Sequence, residues 1–168
     1  MILKIIGSGI LLLAGGYISL AIAAFERRRL WVLDGYISLI YYIKGQIDCY
    51  ALPMTDILAQ ADPVVLAACL GVDTGEPLPP LSFEEPANLT TMIQKSRLYL
   101  RPESERLLTT MTGELGTTYR AEQVRRCEYY LSALTEERRK LYDTLPTRLR
   151  TICTLCLCCA VGTAVLLW

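Results

Sequence analysis

The sequence predicts an all-α protein: an antiparallel helical bundle of about six helices, two of them long, flanked by two transmembrane helices. Three observations predict it. Two charge-free apolar runs, 5–25 and 151–168, lie towards the two ends. Two long stretches beside them repeat apolar residues at alternating three- and four-residue spacing, the period of a helix with one buried stripe. No stretch alternates apolar with polar residues between turn signals, as a half-buried strand requires.

The first run, as a helix, spans about 31 Å, enough to cross a bilayer core. Gly15, Ser19 and Ala23 place small residues four apart on one face, where another helix can approach closely. Lys4 and the Ala21-Ile22-Ala23 segment also fit a cleaved signal peptide. Arg27-Arg28-Arg29 opposes that reading, because a basic cluster after the run resists translocation. Beyond it, Leu30, Leu33, Ile37, Ile40, Lys44, Ile47 and Ala51 form a heptad seam with Lys44 as its polar member.

Pro53 opens a short helix over 53–61. Asp62 and Pro63 supply the N-cap and first-turn proline of another over 63–70. The stretch 71–86 holds Gly71, Gly75, Pro77, Pro79, Pro80 and Pro86, a density of breakers that predicts a loop. Helices resume over 87–100 and from Pro102 to the Gly113–Gly116 region. Thr118 is a plausible N-cap for the last soluble helix. Its seam runs through Val124, Cys127, Leu131, Leu134, Arg138, Leu141 and Leu145, and Pro146 predicts a bend before the second span. That span reaches about 27 Å, with Trp168 at the far interface. The expected organisation is an N-terminal transmembrane helix over 1–25, a bundle domain over 26–150 and a C-terminal transmembrane helix over 151–168.

Charge sets the expected orientation. Arg27, Arg28, Arg29, Arg148 and Arg150 all flank the spans on the bundle side, so the bundle is expected in the cytoplasm. Net charge is zero, yet no Lys or Arg occurs between Lys44 and Lys95, while Asp48, Asp56, Asp62, Asp73, Glu76, Glu84 and Glu85 do. That argues against nucleic acid as a partner of this stretch. The bland reading is a solvated acidic face. The sharper one takes Asp48, Asp56, Asp62 and the acidic loop as a docking face, far from the membrane, for a basic surface on a cytoplasmic partner.

Catalysis finds no foothold. There is no histidine, which removes the commonest general base and the commonest metal ligand. No catalytic residue, cofactor site, metal site or small-molecule substrate is expected. Of the seven cysteines, Cys153, Cys156, Cys158 and Cys159 fall inside the second span, and Cys153, Cys156 and Cys159 share a stripe. Such thiols suit a soft metal or redox role. Against it, thiolates are costly in hydrocarbon and neutral cysteine packs as a small apolar residue, so packing is the favoured reading.

Two motifs between the spans carry a family resemblance. Gln46-Ile47-Asp48-Cys49-Tyr50-Ala51-Leu52-Pro53-Met54-Thr55-Asp56-Ile57-Leu58 follows a Glu-Ile-x-Tyr-x-x-Thr-Pro-Leu-x-Glu-Ala-Leu pattern, with Ile47, Pro53 and Leu58 matching outright. Met111-Thr112-Gly113-Glu114-Leu115-Gly116 follows Phe-Gly-x-x-Leu-Gly through Leu115 and Gly116, with Gln123 at the matching position beyond. Gln46, Cys49, Thr112 and Tyr119 depart from the pattern, and the 71–86 loop differs from the family's helical middle. On these motifs the chain resembles the stage III sporulation protein AB family.

The resemblance implies a six-helix cytoplasmic domain similar to type II secretion F proteins. It implies a non-enzymatic platform in the channel apparatus between mother cell and forespore. The implied partners are a cytoplasmic ATPase of the stage III sporulation protein AA family and neighbouring membrane components, with the bundle on the mother-cell side of the membrane. A type II secretion or pilus platform is the nearest alternative, and a membrane redox or soft-metal protein is an alternative of a different class.

Overall fold

The computed structural model describes residues 2–50, 54–72, 89–116 and 119–166, excepting the side chains of 2–6, 8–12, 54–55, 160, 164 and 166. Among the described residues there is no strand. The helices are α1 (Ile2–Tyr50), α2 (Met54–Ala59), α3 (Pro63–Leu70), α4 (Leu89–Ser96), α5 (Pro102–Glu114) and α6 (Arg120–Leu166). The predicted all-α class and the order of helices hold. Pro146, where a bend is expected, lies inside α6, which continues through it. A proline inside a helix removes one backbone donor, and the rest of the ladder carries α6 past it. Thr118 lies outside the described residues. The Tyr119 carbonyl accepts the first backbone bonds of α6, from Glu122 and Gln123 at 3.0 Å each.

The chain forms two compact units, Arg28–Lys140 and a second made of Met1–Arg27 with Leu141–Trp168. In the first unit the residues of α1 and α6 pair antiparallel. Asp34 meets Arg138, Lys44 meets Glu128 at 2.7 Å, and Asp48 meets Arg120 at 3.5 Å. The predicted seams are buried at Leu33, Ile40 and Ile47 on α1 and at Cys127, Leu134 and Leu141 on α6. Lys44 and Arg138, the two polar seam positions, each close an ion pair with the facing helix.

The buried face of α1 is wider than its seam. Val32, Tyr36, Leu39 and Ile43 are also fully buried, because the short helices pack on that side. Gly35 makes this packing possible. A Cβ there would lie 2.8 Å from the Cys69 nitrogen and 2.9 Å from Ala68, so α3 crosses α1 at backbone contact distance. Asp62 caps α3 by accepting from the Val64 N–H at 2.8 Å, as its Asp-Pro signal predicts. Gly71 ends α3 in the left-handed region (φ 67°). Its N–H bonds to Ala68 and that of Val72 to Ala67, both at 3.0 Å, which satisfies the last carbonyls of the helix.

A buried polar contact fixes α4. The Tyr36 hydroxyl lies 2.7 Å from Ser96 Oγ, which also reaches the Met92 carbonyl at 3.0 Å. Burial pushes the Tyr36 hydroxyl well above the usual tyrosine range, so it stays protonated and able to donate.

Candidate functional site

The family-motif residues build turns and core. Ile47, near the end of α1, and Leu58, on α2, are both buried, and Pro53 lies outside the described residues. Leu115 is half-buried and donates its N–H to the Met111 carbonyl at 3.0 Å, closing α5. Gly116 follows with φ 87°, a conformation that favours glycine and reverses the chain towards α6. Gln123, half-buried, sits in the first turn of α6. Beside this turn Glu114 accepts from the Tyr130 hydroxyl at 2.8 Å and pairs with Arg126 at 3.1 Å. Burial first, and the Glu114 hydrogen bond second, push the Tyr130 hydroxyl up to about 12.

The three acidic docking candidates differ in their surroundings. Asp48 is exposed and pairs with Arg120. Asp62 is exposed and caps α3. Asp56 is exposed in the first turn of α2, where its charge favours the helix. The stretch 73–88, which carries the other four acidic residues, lies outside the described residues. Its start is informative: Gly71 sits against Arg28, near the other end of the bundle from Asp48. Asp48 and the beginning of the loop therefore do not share one end of the bundle, as the sequence reading placed them.

Two arginines have a second role that sequence reasoning missed. Arg28 Nε donates to the Gly71 carbonyl at 2.7 Å, and its guanidinium lies 5.6 Å from the centre of the Tyr99 ring. Arg29 Nε donates to the Tyr99 carbonyl at 3.2 Å. Together they fasten the end of α3 and the turn after α4 onto α1. A run of three arginines beside an apolar span reads as a topology signal, and that reading masks the structural one.

The other unit is built differently. Leu13, Tyr17, Leu20, Leu155, Leu157 and Val165 are all exposed. Among the described residues one helix, α6, is long and apolar enough to cross a membrane, and none of its apolar window is buried. The helix of α1 covers the whole first run, but the side chains of 5–6 and 8–12 lie outside the described residues. Here Ser19 Oγ meets Cys153 Sγ at 2.7 Å. No group of three or more His, Cys, Asp or Glu among the described residues is placed to hold a metal ion.

The family model of stage III sporulation protein AB matches residues 4–168. The chain belongs to the stage III sporulation protein AB family. No curated protein and no solved structure matches the chain. Membership makes the chain a sporulation protein. In this member Ile47 and Leu58 belong to the buried core, and Leu115 and Gly116 form the turn after α5.

Proposed function

We propose that this chain is a two-span membrane protein whose bundle faces the cytoplasm on the mother-cell side. Its role is that of a non-enzymatic platform in the sporulation channel apparatus. The single observation that carries the reading is the change in exposure along α1 and α6. Val32, Leu33, Leu39, Ile40, Ile43 and Leu134 are buried between Arg28 and Lys140, whereas Leu13, Leu20, Leu155 and Leu157 are exposed in the other unit. Exposed leucines in such number are stable in lipid and costly in water. The arginines at 27–29, 148 and 150 support a cytoplasmic bundle, since basic residues flanking a span favour that side.

The family supports the partner: a cytoplasmic ATPase of the stage III sporulation protein AA family, together with other membrane components of the apparatus. Asp48, Asp56 and Asp62 face solvent in a region without basic residues from 45 to 94. A basic face on the ATPase would be steered towards them. The test is association of the ATPase with the full chain in nanodiscs, at low and at physiological salt. Replacing the three aspartates by Asn keeps the α3 cap, since Asn caps as well as Asp. Association should then slow and its salt dependence should flatten. An unchanged rate and salt slope would remove this docking face, and absence of any association would remove the ATPase from the proposal.

A further inference from the structure

Surface leucines scattered singly are ordinary, so exposure alone does not mark a site. Leu98, in the turn after α4, differs in three respects. First, its backbone is fixed while its side chain is 69% exposed. The Tyr99 N–H donates to the Ser96 carbonyl at 2.9 Å and the Leu100 N–H to the Arg97 carbonyl at 3.3 Å, and Ser96 and Leu100 are both buried. Second, Lys95 and Arg97 stand exposed beside it, and no acidic residue falls between 86 and 102. Arg97 pairs with Glu105 at 2.9 Å and still keeps 73% of its side chain exposed. Third, Arg29 Nε holds the Tyr99 carbonyl at 3.2 Å and the Arg28 guanidinium lies over the Tyr99 ring. The turn is therefore tied to α1 about one helical turn beyond the charge-free run 5–25. Among the described bundle residues the other exposed large apolar side chains are Val64 and tyrosines, whose hydroxyls suit water.

We propose that the end of α4 and the turn 97–100 dock onto an anionic bilayer: Leu98 enters the interfacial layer, and Lys95 and Arg97 lie against lipid phosphates. The inference rests on the two-span reading above and adds a contact between bundle and lipid that the spans do not supply. An apolar side chain flanked by cations is the composition of elements that lie in a membrane interface, where burial of the apolar group and attraction to anionic headgroups add. The long basic stems can lie along the apolar layer while their charges stay at the headgroups. That attraction fades within about a Debye length, roughly 8–10 Å, so the cations must sit close to the surface. The tie from Tyr99 to Arg28 and Arg29 supplies the closeness, because α1 enters the proposed span just before these arginines. Docking holds the α4 end of the bundle at the membrane and turns the Tyr50 end of α1 away from it.

The experiment adds one indole, Leu98→Trp, to the full chain and reads its quenching in nanodiscs of phosphatidylglycerol carrying bromine on its acyl chains. Tyr50→Trp is the comparison: Tyr50 is 70% exposed and lies about 33 Å beyond Arg28 along α1. Both sites gain the same indole, so its own preference for interfaces cancels. Leu157→Trp marks the second span, and the signal of Trp31 and Trp168, common to all, is subtracted. Leu98→Trp should be quenched severalfold more than Tyr50→Trp. Brominated phosphatidylcholine in place of phosphatidylglycerol, or the added pair Lys95→Gln/Arg97→Gln, should remove most of that excess. Equal quenching at Leu98→Trp and Tyr50→Trp, with Leu157→Trp quenched, would overturn the docking turn and leave the two spans standing. Quenching of Leu98→Trp that ignores both lipid charge and the Gln pair would overturn the assignment to anionic lipid. Absence of quenching at Leu157→Trp would overturn the two-span reading and this inference with it.

Discussion

Helices α1 and α6 obey opposite rules in the two units they run through. Between Arg28 and Lys140 they bury Tyr36, Leu39, Ile40, Ile43 and Leu134 almost completely. In the other unit the same helices leave Leu13, Tyr17, Leu20, Leu155 and Leu157 exposed. The glycines repeat the contrast. Gly35 is required by a backbone crossing, whereas Gly16 faces open space. Apolar content alone therefore does not mark a core. One region satisfies its apolar side chains with other protein, and the other presents them outward, which is the pattern that the proposed lipid environment explains.

The largest expected effect breaks or confirms that contrast. Leu134→Ala should cost about 2–5 kcal/mol, as for other fully buried aliphatics. Leu157→Ala, at an exposed site, should stay within about 0.5 kcal/mol. Thermal unfolding of the full chain in detergent measures both, and equal losses would erase the distinction. Next is the glycine pair. Gly35→Ala forces α3 away from α1 and should cost about 1–3 kcal/mol. Gly16→Ala should be neutral or stabilise by up to about 1 kcal/mol through helix propensity.

The boundary between the units gives a finer comparison. Arg28 and Arg27 are neighbours in one arginine run, but Arg28 holds Gly71 and Tyr99 while Arg27 is exposed. Arg28→Met should cost about 1.5–3 kcal/mol, the range for hydrogen bonds to charged groups, and Arg27→Met close to nothing. The same melting experiment separates them, and similar losses would mean that the clasp does not hold the bundle together.

Much of the fold was legible because its signals are local. Asp62-Pro63 announced the start of α3, Gly71 its end, and the two heptad seams announced the antiparallel pair. The second buried stripe of α1, through Val32, Tyr36 and Ile43, was not legible. It depends on where the short helices pack, and no local spacing encodes that. By propensity alone a glycine at 35 only weakens the helix, and only the arrival of α3 explains it. The candidate site was less legible still. An aspartate at an N-cap, an aspartate in an ion pair and an exposed aspartate look alike in a row of acidic residues. Cys127, a natural choice for thiol labelling, proves fully buried, which leaves Cys49 as the exposed bundle cysteine.

The smallest effect concerns pH. The Tyr130 hydroxyl is raised from 10.0 to about 12 in the folded protein, so the fold favours its neutral form. Its contribution to stability is complete below pH 10 and is lost as pH rises towards about 12. Tyr130→Phe should make the loss of stability over that interval shallower, measured by denaturant unfolding at a series of pH values. An unchanged slope would show that Tyr130 is not held by burial and Glu114.

Cys49 offers the most direct test of the membrane reading. It is exposed on the bundle, near the end of α1. In a variant that keeps Cys49 as its sole cysteine, an impermeant maleimide applied to intact cells should leave it unlabelled. The same reagent should label it fully once the membrane is opened. Labelling in intact cells would place the bundle outside the cytoplasm and contradict the account.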